Sequence, residues 1–159
     1  MGNFINPIDL FMAFFILVIG LLGIRNGFII ELKKIINLSL SLLLSHITMK
    51  YIVDFYPQSN MINFLLYILI FVSLILLFGF AIDLAIQHSP LVTLEKNVNK
   101  IIGFVLAVLK SFILIGTILF FIELLPIQEN IKNNFFLKAN QGSTLFETCN
   151  KLQSFIINY

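Results

Sequence analysis

The run from Ile101 to Leu125 constrains this chain more than any other part of it: 25 residues with only two charges, Lys110 nine places in and Glu123 near the far end. At about 1.5 Å rise per residue, Lys110 lies roughly 14 Å along a helix made from this run, near the midplane of a hydrocarbon core about 30 Å thick. Trimming the span does not remove the charge. A start at Ser111 leaves twelve residues before Glu123, and a spanning helix needs roughly 20. Lys110 is therefore expected inside the bilayer, or at its edge with its alkyl stem snorkelling.

Composition agrees with a lipid solvent. Apolar residues make up 59% of the 159 and charged ones 11%, with a mean hydropathy of +1.01, whereas soluble proteins carry about 25% charged residues. The expected fold class is all-α: an integral membrane protein of four transmembrane helices plus a C-terminal amphipathic helix. Those stretches leave no room for a soluble domain of ordinary size. A net charge of +2, with ten Lys and Arg and no cluster among them, gives no reason to expect nucleic acid as a partner. The single cysteine, Cys149, excludes an internal disulfide and a thiolate metal site made by one chain.

The spans are expected at about 8–24, 28–49, 61–82 and 101–125, forming a membrane domain over 1–126, with a tail over 127–159. Span one has Asp9 at one rim and Arg25 at the other. It does not read as a signal peptide, because no Lys or Arg precedes it and no small-x-small site follows. Arg25-Asn26-Gly27-Phe28 then makes a tight corner, where Gly27 takes positive φ cheaply. Span two is the most polar, with Glu31, Lys33 and Lys34 near its start and Lys50 at its end. Its Asn37, Ser41 and Ser45 recur every four residues and share a face, either as a packing seam hydrogen-bonded across to another helix or as a substrate path. Lys50 to Asn60 reads as a turn-rich loop. Span three carries no charge, and Asp83 closes it. A connection holding His88, Pro90, Glu95, Lys96 and Lys100 leads to span four, which Pro126 ends.

In the tail, Thr144 and Glu147 form a capping-box pattern, and Leu145, Cys149, Leu152 and Ile156 fall on one helical face. An amphipathic helix over about 143–157 is expected on the membrane interface or docked on the bundle, with Cys149 a buried, inert thiol. Basic residues near the span ends number five on one side (Arg25, Lys33, Lys34, Lys96, Lys100) and three on the other (Lys50, Lys132, Lys138). The positive-inside bias then favours both termini outside the cytoplasm.

No catalytic pattern stands out. There is no Gly-rich phosphate loop and no His-Glu-x-x-His; His46 and His88 lie 42 residues apart in the sequence. Neither an enzyme, nor a cofactor, nor a metal site is expected. Lys110, Glu31 and the Asn37 stripe keep a small transporter or channel subunit as the alternative. For Lys110 three arrangements are open: an ion pair with Glu31, hydrogen bonds to carbonyls or serines of span two, or snorkelling.

Asp9, then Gly27-Phe28 eighteen residues on, then Glu31, resembles the first signature of the colicin V production protein family, small bacterial inner-membrane proteins with four spans. That signature is an Asp at the start of span one, an Arg-Gly-Phe corner and a Glu four places after the Gly. Asn99-Lys100-Ile101-Ile102-Gly103, Ala107 and Lys110-Ser111 resemble its second signature, roughly Asp-Arg-x-x-Gly, Gly and Arg-Gly. Here Asn26 stands where the family has Arg, and Asn99, Ala107 and Ser111 stand for an Asp and two glycines. Ser143-Thr144-Leu145 resembles a family Ser-x-Leu. The resemblance implies an inner-membrane protein needed for making a secreted peptide toxin, and by extension for the envelope. It also suggests an internal echo, Arg25–Phe28 with Lys110–Phe112, that would pair spans one and two with three and four. Partners expected are the lipid bilayer and either a second copy or another membrane protein.

Overall fold

The structure is a computed structural model, and it describes residues 7–55, 59–87, 95–140, 143, 145–149 and 151. All regular structure among the described residues is helical. Helix α1 covers Pro7–Asn26, α2 Phe28–Phe55, α3 Asn60–Gln87, α4 Lys96–Leu124 and α5 Glu129–Asn140.

Local chemistry explains the limits of these helices. Pro7 opens α1 at a position where its missing N–H is no loss, and Asp9 in the first turn and Arg25 in the last complement the helix dipole. Gly27 turns the chain with φ +80°, so α2 starts one residue after α1 ends. Helices α2, α3 and α4 outrun the apolar stretches read from sequence, because a helix that satisfies its own backbone has no need to stop where the side chains turn polar. The expected Lys50 to Asn60 loop is thus helical as far as Phe55; of the connection between α3 and α4, His88 and Pro90 lie outside the described residues. Helix α4 stops at Leu124. Leu125 takes an extended conformation, φ −55° and ψ 133°, as suits the residue before a proline.

Helix α5 was not foreseen. Gln128, just ahead of it, is not a capping residue type, and the run Asn130-Ile131-Lys132-Asn133-Asn134 gives little apolar pattern.

Helix α1 packs along α4, and α2 packs against both α3 and α4. Phe28 at the start of α2 bonds to Asn99 at the start of α4, and Leu42 and Met49 further along α2 pack with Phe120 of α4. Helices α2 and α4 therefore run parallel, and α1 and α3 run opposite to them. One apolar cluster joins Met12 of α1, Ile115 and Leu119 of α4, and Phe146 and Cys149 of the tail. The other joins Leu42, Met49, Tyr67, Phe71 and Phe120.

Among the described residues three segments are long and apolar enough to cross a membrane, Pro7–Asn26, Asn60–Ile86 and Lys96–Leu124. Helix α2 has 28 residues but carries more charge. The internal echo drawn from sequence does not match positions in this fold: Arg25–Phe28 lies at the corner joining α1 to α2, whereas Lys110–Phe112 lies in the middle of α4.

Candidate functional site

Near the corner the polar groups converge on Glu31. Its side chain is fully buried, at 0% exposure, one turn into α2. One carboxylate oxygen pairs with Lys110 Nζ of α4, whose side chain is 13% exposed. The other accepts from Asn26 Nδ2 at 2.5 Å and from Lys34 Nζ at 3.2 Å. Of the arrangements open for Lys110, the ion pair is the one adopted. Side chains on a helix lean toward its N-terminus, so Lys110 reaches back down α4 toward the level where α2 begins. A second pair, Lys33 with Asp83, ties α2 to α3 at the same end; sequence had read Asp83 only as the close of span three.

The seam between α1 and α4 is built from small residues. A Cβ on Gly103 would lie 2.5 Å from Gly23 O and 2.9 Å from Gly27 Cα, and one on Gly23 would lie 2.3 Å from the Ala107 Cβ. Ala107 and Ser111, each one further turn along α4, are fully buried, and Ser111 Oγ donates to Val108 O at 2.6 Å. Such close backbone approach is how helices associate in lipid, where packing replaces hydrophobic collapse. Asn99 adds a polar clasp: its Oδ1 accepts the Phe28 N–H at 2.7 Å, capping α2 from a neighbouring helix. An Asp there would offer the same oxygen, so the departure from the family pattern keeps the acceptor.

Asn37, Ser41 and Ser45 face α3. Asn37 Nδ2 donates to Ile75 O at 3.1 Å, Ser41 Oγ donates to Asn37 Oδ1 at 3.3 Å, and the Ser45 and Tyr67 hydroxyls are hydrogen-bonded at 3.1 Å. Two members of the stripe, Asn37 and Ser45, thus bond across to α3.

Asp9 works at the other end of the bundle. Its Oδ1 accepts from Ser143 Oγ and from the Leu145 N–H at 3.2 Å, while Ser143 Oγ accepts the Phe146 N–H at 3.1 Å. Ser143, one residue before the expected Thr144, is thus the cap of the short helix over 145–149; Thr144 lies outside the described residues, as does 152 onward. Phe146 and Cys149 are buried, at 3% and 0% exposure, so this part of the tail docks on the bundle. Phe136 of α5 stacks toward Phe146 with ring centroids 6.0 Å apart.

The structure therefore brings Gly27, Glu31, Gly103, Lys110 and Ser111 into one neighbourhood around the corner and its seam. Asn37 lies on the α2–α3 face, Asp9 at the far end, and Arg25 and Lys100 on the surface. Among the described residues no three His, Cys, Asp or Glu gather as a metal site. A cleft of about 530 Å³ at the far end is lined by Met49, Tyr67, Glu123 and Lys132, among others.

The description "Colicin V production protein" matches residues 8–153 of the chain. No curated protein and no solved structure matches it.

Proposed function

The chain belongs to the colicin V production protein family, and on that premise we propose a four-span protein of the bacterial inner membrane with an accessory, non-enzymatic role in toxin production or export, or in envelope maintenance. What carries the proposal is the fate of the polar side chains inside the helices. Glu31, Ser41, Ser45 and Ser111 are each 0% exposed, and each is engaged by another side chain or by backbone. Polar groups in lipid are expensive unless paired. Glu31 and Ser45 pair across helices, with Lys110 and Tyr67, and Ser41 and Ser111 bond within their own helices, which supports groups spent on the bundle itself rather than on a common lumen. The cleft at the far end draws its lining from that end alone.

Helix α2 is the fourth span in this reading. At its charged start Glu31 is buried against Lys110 and Lys33 is paired with Asp83, so lipid meets less uncompensated charge than its composition suggests. The five-to-three excess of basic residues supports a cytoplasmic corner and periplasmic termini. A thin bundle of this kind suits association with a second copy or another membrane protein.

A transporter or channel subunit is the second reading, favoured by the buried Glu31–Lys110 pair itself, since ionisable residues within spans often mark ion paths. Purified protein in liposomes separates the two. The accessory role expects solute and ion flux no greater than in empty liposomes, together with reduced toxin release from cells that lack the protein; flux with the pure chain would overturn it.

A further inference from the structure

At the corner end a groove of about 580 Å³ opens between α1 and α4, lined by Ile24, Asn97, Lys100, Ile101 and Phe104. The small-residue seam gives it a wall. A Cβ on Gly20 would lie 2.7 Å from Phe104 Cε2, so the Phe104 ring sits directly over the α1 backbone and leaves the groove beside it. The lining is ordered by depth. Asn97 and Lys100 belong to the first turns of α4, Ile101 and Phe104 follow on the same face, and Ile24 meets them from α1. Polar groups at the headgroup level with apolar groups below them reproduce the profile of a phospholipid seated alongside a spanning helix.

Charge selects the headgroup. Of the five cations at this end, Lys33 is paired with Asp83 and Lys34 with Glu31. Arg25, Lys96 and Lys100 have no acid partner among the described residues. Setting the neighbouring Glu95 against one of them still leaves an excess of positive charge at this end of the bundle, and Lys100 itself lines the groove. The clefts at the opposite end are lined by Glu123 and Glu129 with Lys132, an acidic balance that repels phosphate. Basic pockets between spanning helices favour anionic lipid over zwitterionic lipid.

We propose that the α1–α4 groove holds one anionic diacyl phospholipid, its phosphodiester against Lys100 and the Asn97 amide with Arg25 adjacent, and one acyl chain along Ile24, Ile101 and Phe104. The site needs only that this end of α1 and α4 lie at a membrane surface, whichever side that is. The full chain, purified in detergent, is mixed with dioleoylphosphatidylglycerol or dioleoylphosphatidylcholine and followed by native mass spectrometry and thermal unfolding. One phosphatidylglycerol should remain bound per chain and raise the melting temperature above that with phosphatidylcholine. Lys100→Ala combined with Arg25→Ala should reduce retention about tenfold, Lys100→Arg should keep it, and Lys132→Ala at the other end should leave it unchanged. Both substituted cations are exposed, and an unchanged helical circular dichroism spectrum separates lost lipid from lost fold. Equal retention of the two lipids, undiminished retention by the double variant, or equal stabilisation by inorganic phosphate alone would each overturn the proposal.

Discussion

Lys110 is the residue on which the sequence already turns, and its environment shows why it is tolerated. A lone charge at the centre of a span costs about 2.5–3.5 kcal/mol on insertion scales; here the charge meets a fully buried carboxylate. Removing one partner of such a pair leaves the other buried and uncompensated. Lys110→Glu should therefore lower the amount of folded protein in the membrane severalfold, as read by a C-terminal reporter and by melting temperature. Adding Glu31→Lys should restore part of it, and only part, because Lys34 now faces a like charge 3.2 Å from where the carboxylate stood. Equal abundance of Lys110→Leu, Lys110→Glu and the unaltered chain would show that the pair does not matter. Asn99 offers a second test. Asn99→Asp keeps the acceptor for the Phe28 N–H and adds a charge that the helix start favours, so its melting temperature should match or exceed the parent's. Asn99→Ala should cost about 0.5–2 kcal/mol, as lost caps do. Glu31 as partner of Lys110 was legible because few acids could reach. The clasp by Asn99 was not, since a neutral amide that accepts a backbone N–H from another helix leaves no opposite charge in the sequence to match it with.

Between elements, backbone contact decides which substitutions the bundle accepts. At Gly103 an added Cβ meets the backbone of Gly23 and Gly27, and backbone cannot step aside, so Gly103→Ala should force α1 from α4 at about 1–3 kcal/mol. At Gly79 the nearest neighbour is Asn37 Nδ2 at 3.3 Å, the end of a flexible side chain, and Gly79→Ala should shift the melting temperature far less. Similar losses at both positions would refute the seam. The tail provides a chemical readout. Burial pushes the Cys149 thiol up from 9.0 to about 11, and its side chain is wholly covered, so maleimide should label the folded protein slowly at pH 7. Because the folded state holds this proton more tightly than the unfolded one, the thiol's contribution to stability is complete below about pH 9 and fades as pH rises toward 11. Asp9→Ala removes the acceptor for Ser143 and Leu145 and should speed labelling at pH 7 at least tenfold; Asp9→Asn, which keeps an oxygen, should do so less. Unchanged labelling of Asp9→Ala would show that apolar packing alone docks the tail. The shared face of Asn37, Ser41 and Ser45 was legible because the four-residue period is local, and Asn37 and Ser45 bond from that face to α3. Helix α5 gave no such sign, having neither a cap residue at Gln128 nor a clear apolar stripe. The capping motif of the tail was displaced by one residue because Ser143 and Thr144 are both capping types and Glu147, three places after Thr144, drew the motif onto Thr144.

Over the whole molecule, the direction of the helices bears on how often the chain crosses the membrane. The three principal interfaces, α1 with α4, α2 with α3 and α2 with α4, form a set that is unchanged when α1 is exchanged with α3 and α2 with α4. The two central helices run parallel, so any such twofold lies along the helices rather than across them, which is why the echo sought between Arg25–Phe28 and Lys110–Phe112 has the wrong register. The stripes that do correspond are Asn37, Ser41 and Ser45 on α2 and Gly103, Ala107 and Ser111 on α4, each at four-residue spacing and each turned to an antiparallel neighbour. Helix α2 is not among the three segments apolar enough to cross by composition, and its buried Glu31 weighs in that composition as an exposed charge would. Yet α1 and α3 both run antiparallel to α4, and if both cross the membrane they cross in the same direction, so the chain between them has to return. The 28 residues of α2, about 42 Å at 1.5 Å each, are long enough to do so. Four crossings would put the two termini on one side, and the excess of basic residues at the corner end (Arg25, Lys33, Lys34, Lys96 and Lys100) leads us to predict that this side is the periplasm. Alkaline phosphatase fused after Tyr159 should be active, and a fluorescent reporter that matures only in the cytoplasm should stay dark there and light up when inserted in the connection between α3 and α4. Reporters placing the two termini on opposite sides would mean that α2 does not cross, and fluorescence at both termini would mean that four spans are present with the opposite orientation.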